Sequence, residues 1–429
     1  MKMFKSLILY LFVAAILPLA AADRLILDGV FISGKTDKSA LSYRKNETMI
    51  FSFRAEFGGK SSDGLFLSYI RRGDDGKTFS GKVPASQELI VKTSIERHGF
   101  VSVNVFLVDA DGRNVFNGSR KIGYYAGAAV EPEALEDCGE PADFDAFWQR
   151  QRQRVSAVPF DGAVEKKFVS TENGLNYFTV KIPCAGPRPV TGFLCIPVNA
   201  GAGSQLAEIH YMGYGEVPQK LPRWALKDRI TLIINAHGHE MLQDAGYYAE
   251  FFKSIRSNGY TYALDPEQNR NPETSYFNGM ALRVMRSLDY IKTLPEWNRK
   301  DLRVIGGSQG GLQVMWAAAM DEDISVAIPS IIWCSDLAGQ EKKGRLHGTW
   351  RVKYDPALDY YDPVFMAKRI KKAEVYISRA GLGDYICPPS GLMICYKNIA
   401  SPRKKIVWVQ GSDHGFIPAD SERIVWQGK

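Results

Sequence analysis

Hydrophobic and polar residues alternate in short runs over the first third of the chain. Such runs occupy residues 49–53, 65–70 and 101–108, and each is followed within a few residues by a turn rich in Gly or Asp. Alternation places every second side chain on one face of a strand, and regularly spaced turns are typical of antiparallel β-structure. There is no long helical period in this region. The pattern therefore predicts a small all-β sandwich over residues 23–126.

From residue 127 onward, apolar strand patterns alternate with helical ones. Residues 131–141 form an acidic, proline-containing stretch that is typical of a linker. Residues 280–291 carry apolar side chains at helical spacing and predict an amphipathic helix. Strand candidates lie at residues 193–196, 231–235, 302–305, 375–378 and 406–409. Alternating strands and helices indicate a mainly parallel sheet covered on both faces, so we expect residues 127–429 to form an α/β domain.

The first 22 residues have the composition of an export signal. Lys2 and Lys5 precede an apolar run at residues 7–17, and three alanines at residues 20–22 provide a small-residue cleavage site. The mature chain is therefore predicted to begin at Asp23 and to be secreted or periplasmic. A single-pass anchor is the alternative, but the apolar run is shorter than the roughly 20 residues that span a bilayer. We expect no membrane insertion after signal removal.

Charge and cysteine spacing argue against two classes of function. The formal net charge is +7, but the basic residues occur in short groups such as residues 403–405 rather than in a dense tract. Nucleic acid is therefore not an expected partner. The six cysteines include no close pair with the spacing of zinc ligands, which argues against a cysteine-based zinc site. Export permits disulfides, and the sequence leaves their pairing open.

A glycine-rich segment at residues 306–311 contains a candidate nucleophile. Its sequence, Gly-Gly-Ser-Gln-Gly-Gly, lies between the strand candidate 302–305 and an apolar helical segment at 312–320. This is the G-x-S-x-G turn in the strand, turn and helix context that it requires, with glycines where neighbouring segments approach closely. The turn presents the hydroxyl of Ser308 at the carboxyl end of a strand. A phosphate-binding loop is disfavoured because no Gly-Lys-Ser/Thr follows.

A serine nucleophile needs a base, and a histidine base needs an orienting carboxylate. Only His347 and His414 follow Ser308 in the chain. His414 comes directly after the strand candidate 406–409, whereas His347 lies in a charged segment and is expected at the surface or in the substrate cleft. Asp384 follows the strand candidate 375–378, which gives the order Ser, acid, His found in α/β-hydrolases. We therefore predict a triad of Ser308, Asp384 and His414.

Several motifs together resemble the acetyl xylan esterases and cephalosporin C deacetylases of carbohydrate esterase family seven. The segments that carry the resemblance are residues 141–148, 211–215, 306–311 and 381–390. The resemblance runs from about residue 141 to residue 414, and it implies an α/β-hydrolase fold for the second domain. It also implies that the oxyanion hole consists of the backbone N–H groups of Tyr214 and Gln309, which are the two positions where such donors converge. Such enzymes usually form oligomers, so a homo-oligomer is implied as well.

The chain departs from the family pattern at two places. Residues 236–240 contain His237, His239 and Glu240 where the family has Arg-Gly-Gln, and His414 is followed by glycine where the family has His-Glu. We predict that His237, His239 and Glu240 have a structural role or line the substrate pocket. Imidazole and carboxylate are ordinary zinc ligands, but this short loop does not provide a complete site, so we expect no metal and no other cofactor.

The leading functional hypothesis is a secreted serine esterase that removes O-acetyl groups from carbohydrates such as acetylated xylan, through an acetyl-enzyme. A serine hydrolase of another ester or of a peptide is an alternative, because the same turn occurs in many hydrolases. A catalytically inactive, carbohydrate-binding relative is a third. The β-sandwich is an addition to the family's catalytic unit, and either polysaccharide binding or packing on the catalytic domain would account for it.

Overall fold

The computed structural model describes residues 24–160 and 162–427. The predicted signal peptide at residues 1–22 lies outside the described residues. Within them, no helix combines the length and the apolar composition needed to cross a membrane. The described cysteines, at positions 138, 184, 195, 334, 387 and 395, are all unpaired. Burial raises the pKa of the Cys195 thiol to about 12, so this side chain stays protonated.

The N-terminal domain is a sandwich of two antiparallel sheets, as the alternating pattern predicted. One sheet has the order β1-β2-β5 and the other the order β4-β3-β6-β9, while β7 and β8 form a separate hairpin. The strands are β1 (Phe31–Thr36), β2 (Met49–Glu56), β3 (Phe66–Gly73), β4 (Thr78–Pro84), β5 (Leu89–Thr93), β6 (Gly99–Val108), β7 (Phe116–Asn117), β8 (Arg120–Lys121) and β9 (Gly123–Val130).

The two sheets enclose an apolar core. Phe53 of β2 and Tyr124 of β9 pack with ring centroids 5.9 Å apart, and the Tyr124 hydroxyl donates to the Gly34 carbonyl of β1 at 2.7 Å. On β6 the odd-numbered residues, including Val103 and Val105, point into this core and are fully buried. The even-numbered residues of β6 therefore lie on the outer face of the second sheet.

The sandwich extends beyond its predicted boundary at Ala126. Strand β9 continues to Val130 and pairs with β6 along its whole length, from Phe106 opposite Gly123 to Gly99 opposite Val130. The segment 126–129 consists of Ala and Gly, whose small side chains give a weak hydrophobic alternation. Gly127 has no room for a side chain because its outer face lies directly against Leu382 of the second domain.

The second domain is built on a ten-stranded sheet in the order β10-β11-β12-β14-β13-β15-β16-β17-β18-β19. Strands β13 to β18 are parallel, while β10, β11 and β12 add an antiparallel flank at one edge and β19 is antiparallel at the other. The strands are β10 (Glu165–Glu172), β11 (Leu175–Ile182), β12 (Val190–Pro197), β13 (Gln205–Tyr211), β14 (Arg229–Ile234), β15 (Trp297–Gly307), β16 (Val326–Ser330), β17 (Glu374–Gly381), β18 (Lys404–Val409) and β19 (Arg423–Gln427). The predicted strands all fall on this sheet.

Helices connect the strands of this domain. They are α1 (Phe144–Ser156), α2 (Ala245–Ser254), α3 (Tyr276–Ile291), α4 (Gln309–Met320), α5 (Leu337–Lys342), α6 (Pro363–Met366) and α7 (Pro389–Asn398), with short 3-10 helices at Pro132–Ala134, Gln268–Arg270, Pro356–Tyr360 and Ala367–Arg369. Helix α3 is the one predicted to be amphipathic, yet nearly all of its residues are buried. Its polar side chains are accommodated by backbone carbonyls: Arg283 donates to Ala236, and Arg286 donates to Pro183.

The two domains share one continuous apolar core. Phe100, on the outer face of β6, packs against Trp408 of β18 with ring centroids 5.3 Å apart. Asp74, at the end of β3, is completely buried and accepts hydrogen bonds from the backbone N–H groups of Phe100 at 2.8 Å and Leu346 at 2.7 Å. The sandwich is therefore packed on the second domain along an extended interface.

Candidate active site

Ser308 lies on a sharp turn between β15 and α4. Its backbone has φ 58° and ψ −121°, a conformation that non-glycine residues rarely adopt. The turn also requires glycine at close contacts: a Cβ on Gly310 would lie 2.2 Å from the Tyr211 carbonyl oxygen, and one on Gly306 would lie 2.6 Å from the backbone of Gly310. The strained geometry and the missing side chains expose the serine hydroxyl at the carboxyl end of the sheet.

The structure brings Ser308, His414 and Asp384 into one hydrogen-bonded series. The Nε2 atom of His414 is 3.0 Å from the Oγ atom of Ser308, and its Nδ1 atom is 3.0 Å from an Oδ atom of Asp384. Because a carboxylate can only accept, Nδ1 carries the proton and Nε2 is free to accept from the serine. This is the arrangement in which an imidazole can remove the proton of an attacking hydroxyl.

Asp384 is held rigidly in this series. Its side chain is inaccessible to solvent, and its second oxygen accepts from the backbone N–H groups of Ile386 at 2.8 Å and Cys387 at 3.0 Å. His414 is fixed in turn by its carbonyl oxygen, which accepts from the Arg379 guanidinium at 2.8 Å. One carboxylate oxygen of Asp384 therefore bonds to the imidazole, and the other accepts from the backbone of the loop that carries Asp384.

The topology of the sheet explains why residues so far apart in sequence meet. Ser308 follows β15, Asp384 follows β17 and His414 follows β18, and these strands belong to the parallel part of the sheet. Parallel strands end at the same edge, so the loops after them converge there. The other candidate base, His347, is exposed, and within the described residues its ring hydrogen-bonds the carbonyl of its neighbour Gly348 at 3.3 Å rather than a residue of the triad.

The two candidate oxyanion donors, the backbone N–H groups of Gln309 and Tyr214, belong to segments that adjoin the Ser308 turn. Helix α4 begins at Gln309, and the N–H groups of a helix's first turn have no intrahelical acceptor. Tyr214 lies just beyond the end of β13, which neighbours β15 in the sheet. Among the described residues, no acceptor is paired with its backbone N–H. The helix dipole adds partial positive charge at the same point.

A chain of hydrogen bonds links the two oxyanion candidates through side chains that the sequence did not reveal. The Tyr262 hydroxyl accepts from the Gly215 N–H at 3.0 Å and donates to the side-chain oxygen of Gln309 at 2.9 Å. His237 contacts the carbonyl of the same Gly215 through Nε2 at 2.9 Å, and its Nδ1 is 2.7 Å from the Tyr276 hydroxyl. The loop that carries Tyr214 is thus anchored to the helix that carries Gln309.

His237 is neutral in this network. The Gly215 carbonyl can only accept, so Nε2 donates to it and Nδ1 accepts from Tyr276. Burial lowers the pKa of His237 to about 3, because the charged imidazolium would be desolvated beside Arg283. The ring is only 3% exposed, which leaves no surface for a substrate.

Of the two roles predicted for His237, His239 and Glu240, the structure favours the structural role over a substrate pocket. His239 is also completely buried, and burial lowers its pKa. The carboxylate of Glu240 points away to an ion pair with Lys181 of β11 at 2.7 Å. Tertiary packing, which a local motif does not reveal, gives this segment its structural role.

One group of potential metal ligands overlaps the proposed triad. Asp384, Cys387 and His414 form the one group of potential ligands found within the described residues, with ligand atoms within 4.8 Å of one another. The imidazole Nδ1 and the carboxylate already bond to each other, however, and burial keeps the pKa of the Cys387 thiol well above its usual range. The donor set therefore fits a triad better than a metal site.

The N-terminal sandwich contacts both the loop that carries Asp384 and the loop that carries His414. The side-chain amide of Gln410 bonds both backbone groups of Gly127 of β9, each at 2.8 Å. Next to it, the Gly411 N–H donates to the Tyr125 carbonyl at 3.1 Å. A Cβ on Gly127 would lie 2.1 Å from the Leu382 carbonyl oxygen. No sequence signal marked these partners, because they are hundreds of residues apart.

The comparisons with known proteins agree with this geometry. A family model described as acetyl xylan esterase (AXE1) matches residues 136–339. An acetyl esterase of Xylanibacter ruminicola, Axe7A, is 27% identical over 350 residues, which cover 77% of this chain and 74% of that protein.

Solved structures give the fold. An acetyl xylan esterase from Paenibacillus sp. R4 superimposes with a TM-score of 0.56 at 22% identity, over 67% of this chain and 94% of that chain. Acetyl xylan esterase 1 from Thermoanaerobacterium gives a TM-score of 0.57 at 19% identity, with the same coverage of 67% and 94%. These matches confirm the α/β-hydrolase fold. Together with the family match and the acetyl esterase relative, they show a carboxylic ester hydrolase that is similar to the acetyl xylan esterases.

Proposed function

We propose that this protein is an exported serine esterase that removes O-acetyl groups from carbohydrates, with acetylated xylan or its oligosaccharides as the substrate class. The observation that carries the proposal is the hydrogen-bonded series from Ser308 through His414 to Asp384 at the carboxyl edge of the sheet. The names of its relatives, acetyl esterase and acetyl xylan esterase, support the acetyl group as the acyl part.

In the first half of the reaction the Oγ atom of Ser308 attacks the acetyl carbonyl carbon. His414 Nε2 takes the hydroxyl proton, and Asp384 stabilises the resulting imidazolium. Negative charge develops on the carbonyl oxygen, where the N–H groups of Gln309 and Tyr214 can donate to it. The tetrahedral intermediate then collapses, and the imidazolium gives its proton to the departing sugar oxygen. The sugar alcohol leaves, and Ser308 carries the acetyl group.

In the second half a water molecule replaces the sugar. His414 removes a proton from the water as it attacks the acetyl-Ser308 carbonyl, and the same two N–H donors face the developing oxyanion. Collapse of this intermediate returns the proton to Ser308 Oγ and releases acetate. In both halves of the reaction, His414 therefore takes a proton when the tetrahedral intermediate forms and gives it to the leaving oxygen when the intermediate collapses.

The test is an acetate-release assay on acetylated xylan, pectin, mannan and small acetyl esters, with a peptide amide as a competing substrate. We expect release from one or more of the acetylated carbohydrates by the wild type, and no release above background by Ser308→Ala, whose melting temperature should match the wild type. Preference for the peptide amide would instead favour a peptidase. Full activity in Ser308→Ala would contradict the assigned nucleophile.

The export part of the proposal has its own experiment. The charged and apolar pattern of residues 1–22 supports cleavage before Asp23. N-terminal sequencing of protein recovered from the periplasm or the culture medium should give a mature chain that begins at Asp23. Recovery of only the uncleaved chain from the cytoplasm would contradict export.

A further inference from the structure

A cleft lies at the junction of the two domains, where the outer face of the sandwich extends past the catalytic domain. At one end of β6 this face is covered, because Phe100 packs on Trp408. Further along the same strand, Asn104 and Phe106 occupy the same face and line a cavity of about 360 Å³. We call this cavity the junction cleft. Its floor belongs to the sandwich, and Thr349, Tyr385 and Asp413 of the catalytic domain form the opposite wall.

The floor of the junction cleft is assembled by strand register. Ile70 of β3 lies opposite Asn104 of β6, and Asn104 lies opposite Tyr125 of β9, so the three form one row across the sheet. Arg72 lies two residues along β3 from Ile70 and therefore projects from the same face. A rigid sheet thus sets the positions of these side chains relative to one another.

The cleft carries an excess of positive charge. Arg72, Arg120 and Lys121 line it, and the one acidic residue in its lining is Asp413. Asp413 is already engaged: its Oδ1 accepts from the Gly415 N–H at 2.8 Å, and its Oδ2 is 3.6 Å from the Arg120 guanidinium. Within the described residues Arg72 and Lys121 have no ion-pair partner. Two cations therefore face the cavity without a balancing carboxylate.

Polar and aromatic side chains accompany this charge. Asn104 is only 4% exposed, and its buried side-chain oxygen has no hydrogen-bond partner among the described residues. A buried amide without a partner is uncommon, and a ligand hydroxyl could donate to it. Tyr125 and Tyr385 stack with ring centroids 5.5 Å apart and an interplanar angle of 27°. Aromatic rings of this kind provide apolar faces beside a polar rim.

The junction cleft adjoins the proposed catalytic triad through three separate segments. Tyr385 directly follows Asp384, and Asp413 directly precedes His414. Thr349 precedes Trp350, whose ring packs against Tyr214 with centroids 4.1 Å apart. Each segment thus has one residue at the cleft and its neighbour at the site of Ser308. Consecutive Cα atoms are about 3.8 Å apart, so the lining of the cleft lies one residue away from the proposed site in each segment.

We propose that the junction cleft is a subsite for a sugar that carries a carboxylate, such as a hexuronic acid, within the oligosaccharide whose acetyl ester lies at Ser308. This inference rests on the proposed function and narrows its substrate class. Arg72 and Lys121 bind the carboxylate, Asn104 accepts from a ring hydroxyl, and the tyrosine pair contacts the apolar face of the ring. A solvated basic surface would explain the charges, but not the buried, unpartnered Asn104 beside them.

The experiment compares two substrates on the full-length mature protein. One is a neutral acetylated xylo-oligosaccharide, and the other is the same oligosaccharide with one hexuronic acid branch. We expect the KM of the acidic substrate to be about tenfold lower than that of the neutral one, which corresponds to one or two charge-assisted hydrogen bonds. The advantage should shrink in about 1 M salt, where charges a few ångströms apart are screened.

The double variant Arg72→Gln/Lys121→Gln should bring the KM ratio of the two substrates close to one. The matched control is Lys35→Gln/Lys92→Gln, which removes two exposed lysines from the outer face of the opposite sheet and should keep the wild-type ratio. A wild-type ratio near one, or a ratio that the cleft variant leaves unchanged, would overturn the proposal.

A second measurement separates this proposal from the proposed function. If the wild type releases acetate from neither substrate, the proposal of acetylated xylan as the substrate class fails, and calorimetry with the unacetylated acidic oligosaccharide then tests the cleft directly. Binding by the wild type that is lost in Arg72→Gln/Lys121→Gln supports the subsite. Absence of binding by the wild type overturns it.

Discussion

In the proposed site, the nucleophile side, which carries Ser308, and the acid and base side, which carries Asp384 and His414, are held by different parts of the chain. Around Ser308 and the oxyanion candidates, all the supporting groups come from the catalytic domain, including Tyr262 and His237. The loops that carry Asp384 and His414 instead rest on the sandwich, where Gly127 fits against Leu382 and bonds Gln410. The additional domain is therefore part of the support of the site.

The additional domain provides hydrogen-bond partners for buried groups of the catalytic domain. Buried backbone groups at the junction are paired across it, as in the two bonds between Gln410 and Gly127, and leaving such groups unpaired would destabilise the fold. The sandwich therefore fixes the spacing between the two loops that must place a carboxylate and an imidazole together. Four substitutions test the two sides, from the largest expected effect to the smallest.

The largest effect is expected at the nucleophile side from Gly310→Ala. The new Cβ would lie 2.2 Å from the Tyr211 carbonyl oxygen, so the start of α4 must move by nearly an ångström. Misplacing both the nucleophile and an oxyanion donor should lower kcat for a small acetyl ester about 10³-fold. Gly201→Ala is the control, because a Cβ there meets nothing within 4 Å. A kcat within threefold of wild type would show that the turn tolerates a side chain.

Gly127→Ala changes a residue of the sandwich and tests whether the sandwich supports the loops that carry Asp384 and His414. Its Cβ would lie 2.1 Å from the Leu382 carbonyl, two residues before Asp384. Shifting this loop should lower kcat about a hundredfold, with a smaller change in KM, since the imidazole loses its orienting carboxylate. Kinetics and a thermal melt on the same sample would check this. If kcat is unchanged, the sandwich does not support the site and the comparison fails.

Two variants of His237 test whether its hydrogen bond positions the loop that carries Tyr214. His237→Leu removes the donor to the Gly215 carbonyl, and we expect kcat to fall about tenfold as the Tyr214 loop loosens. His237→Gln can still donate from its amide, so its kcat should stay within about threefold of wild type. Equal losses in the two variants would indicate that the imidazole shape, rather than the hydrogen bond, is what the loop requires.

The smallest effect concerns stability at low pH. The pKa of His237 is about 3 in the folded protein, against an ordinary value near 6.5. Between these values the unfolded chain binds a proton that the folded protein does not, so stability is present above pH 6.5 and is lost as pH falls toward 3. The slope is about 1.4 kcal/mol per pH unit.

His237→Gln removes this titration, so its free energy of unfolding should fall less steeply between pH 6.5 and pH 5. Urea unfolding of both proteins at several pH values would measure the two slopes. His239, whose pKa is also lowered by burial, remains in the variant and contributes equally to both curves. Parallel curves would mean that His237 is accessible to protons in the folded state.

The parts of the site that the sequence predicted are those with a local signature. Ser308 is marked by glycines that the turn itself requires, and Asp384 and His414 follow strands in a known order. The sandwich and the mainly parallel sheet likewise followed from periodicity. In each case the structure is determined by residues that are close together along the chain.

What the sequence did not predict depends on distant partners. For His237 the sequence left a structural role and a pocket role open, and the contacts with Tyr276 and Gly215 that favour the structural role come from distant parts of the chain. Helix α3 looked amphipathic, yet Arg283 and Arg286 are buried against backbone carbonyls. The contact of Gly127 with Gln410 joins residues from two domains, and no local pattern encodes it.

The most direct test of the account is the reactivity of Ser308 toward a fluorophosphonate, measured by peptide mapping and labelling rate. We predict one phosphonyl group per chain, on Ser308, and a rate about 10³-fold lower in Asp384→Asn, where the imidazole loses its carboxylate partner. Labelling at another residue, or an undiminished rate in Asp384→Asn, would contradict a nucleophile activated by His414 and Asp384.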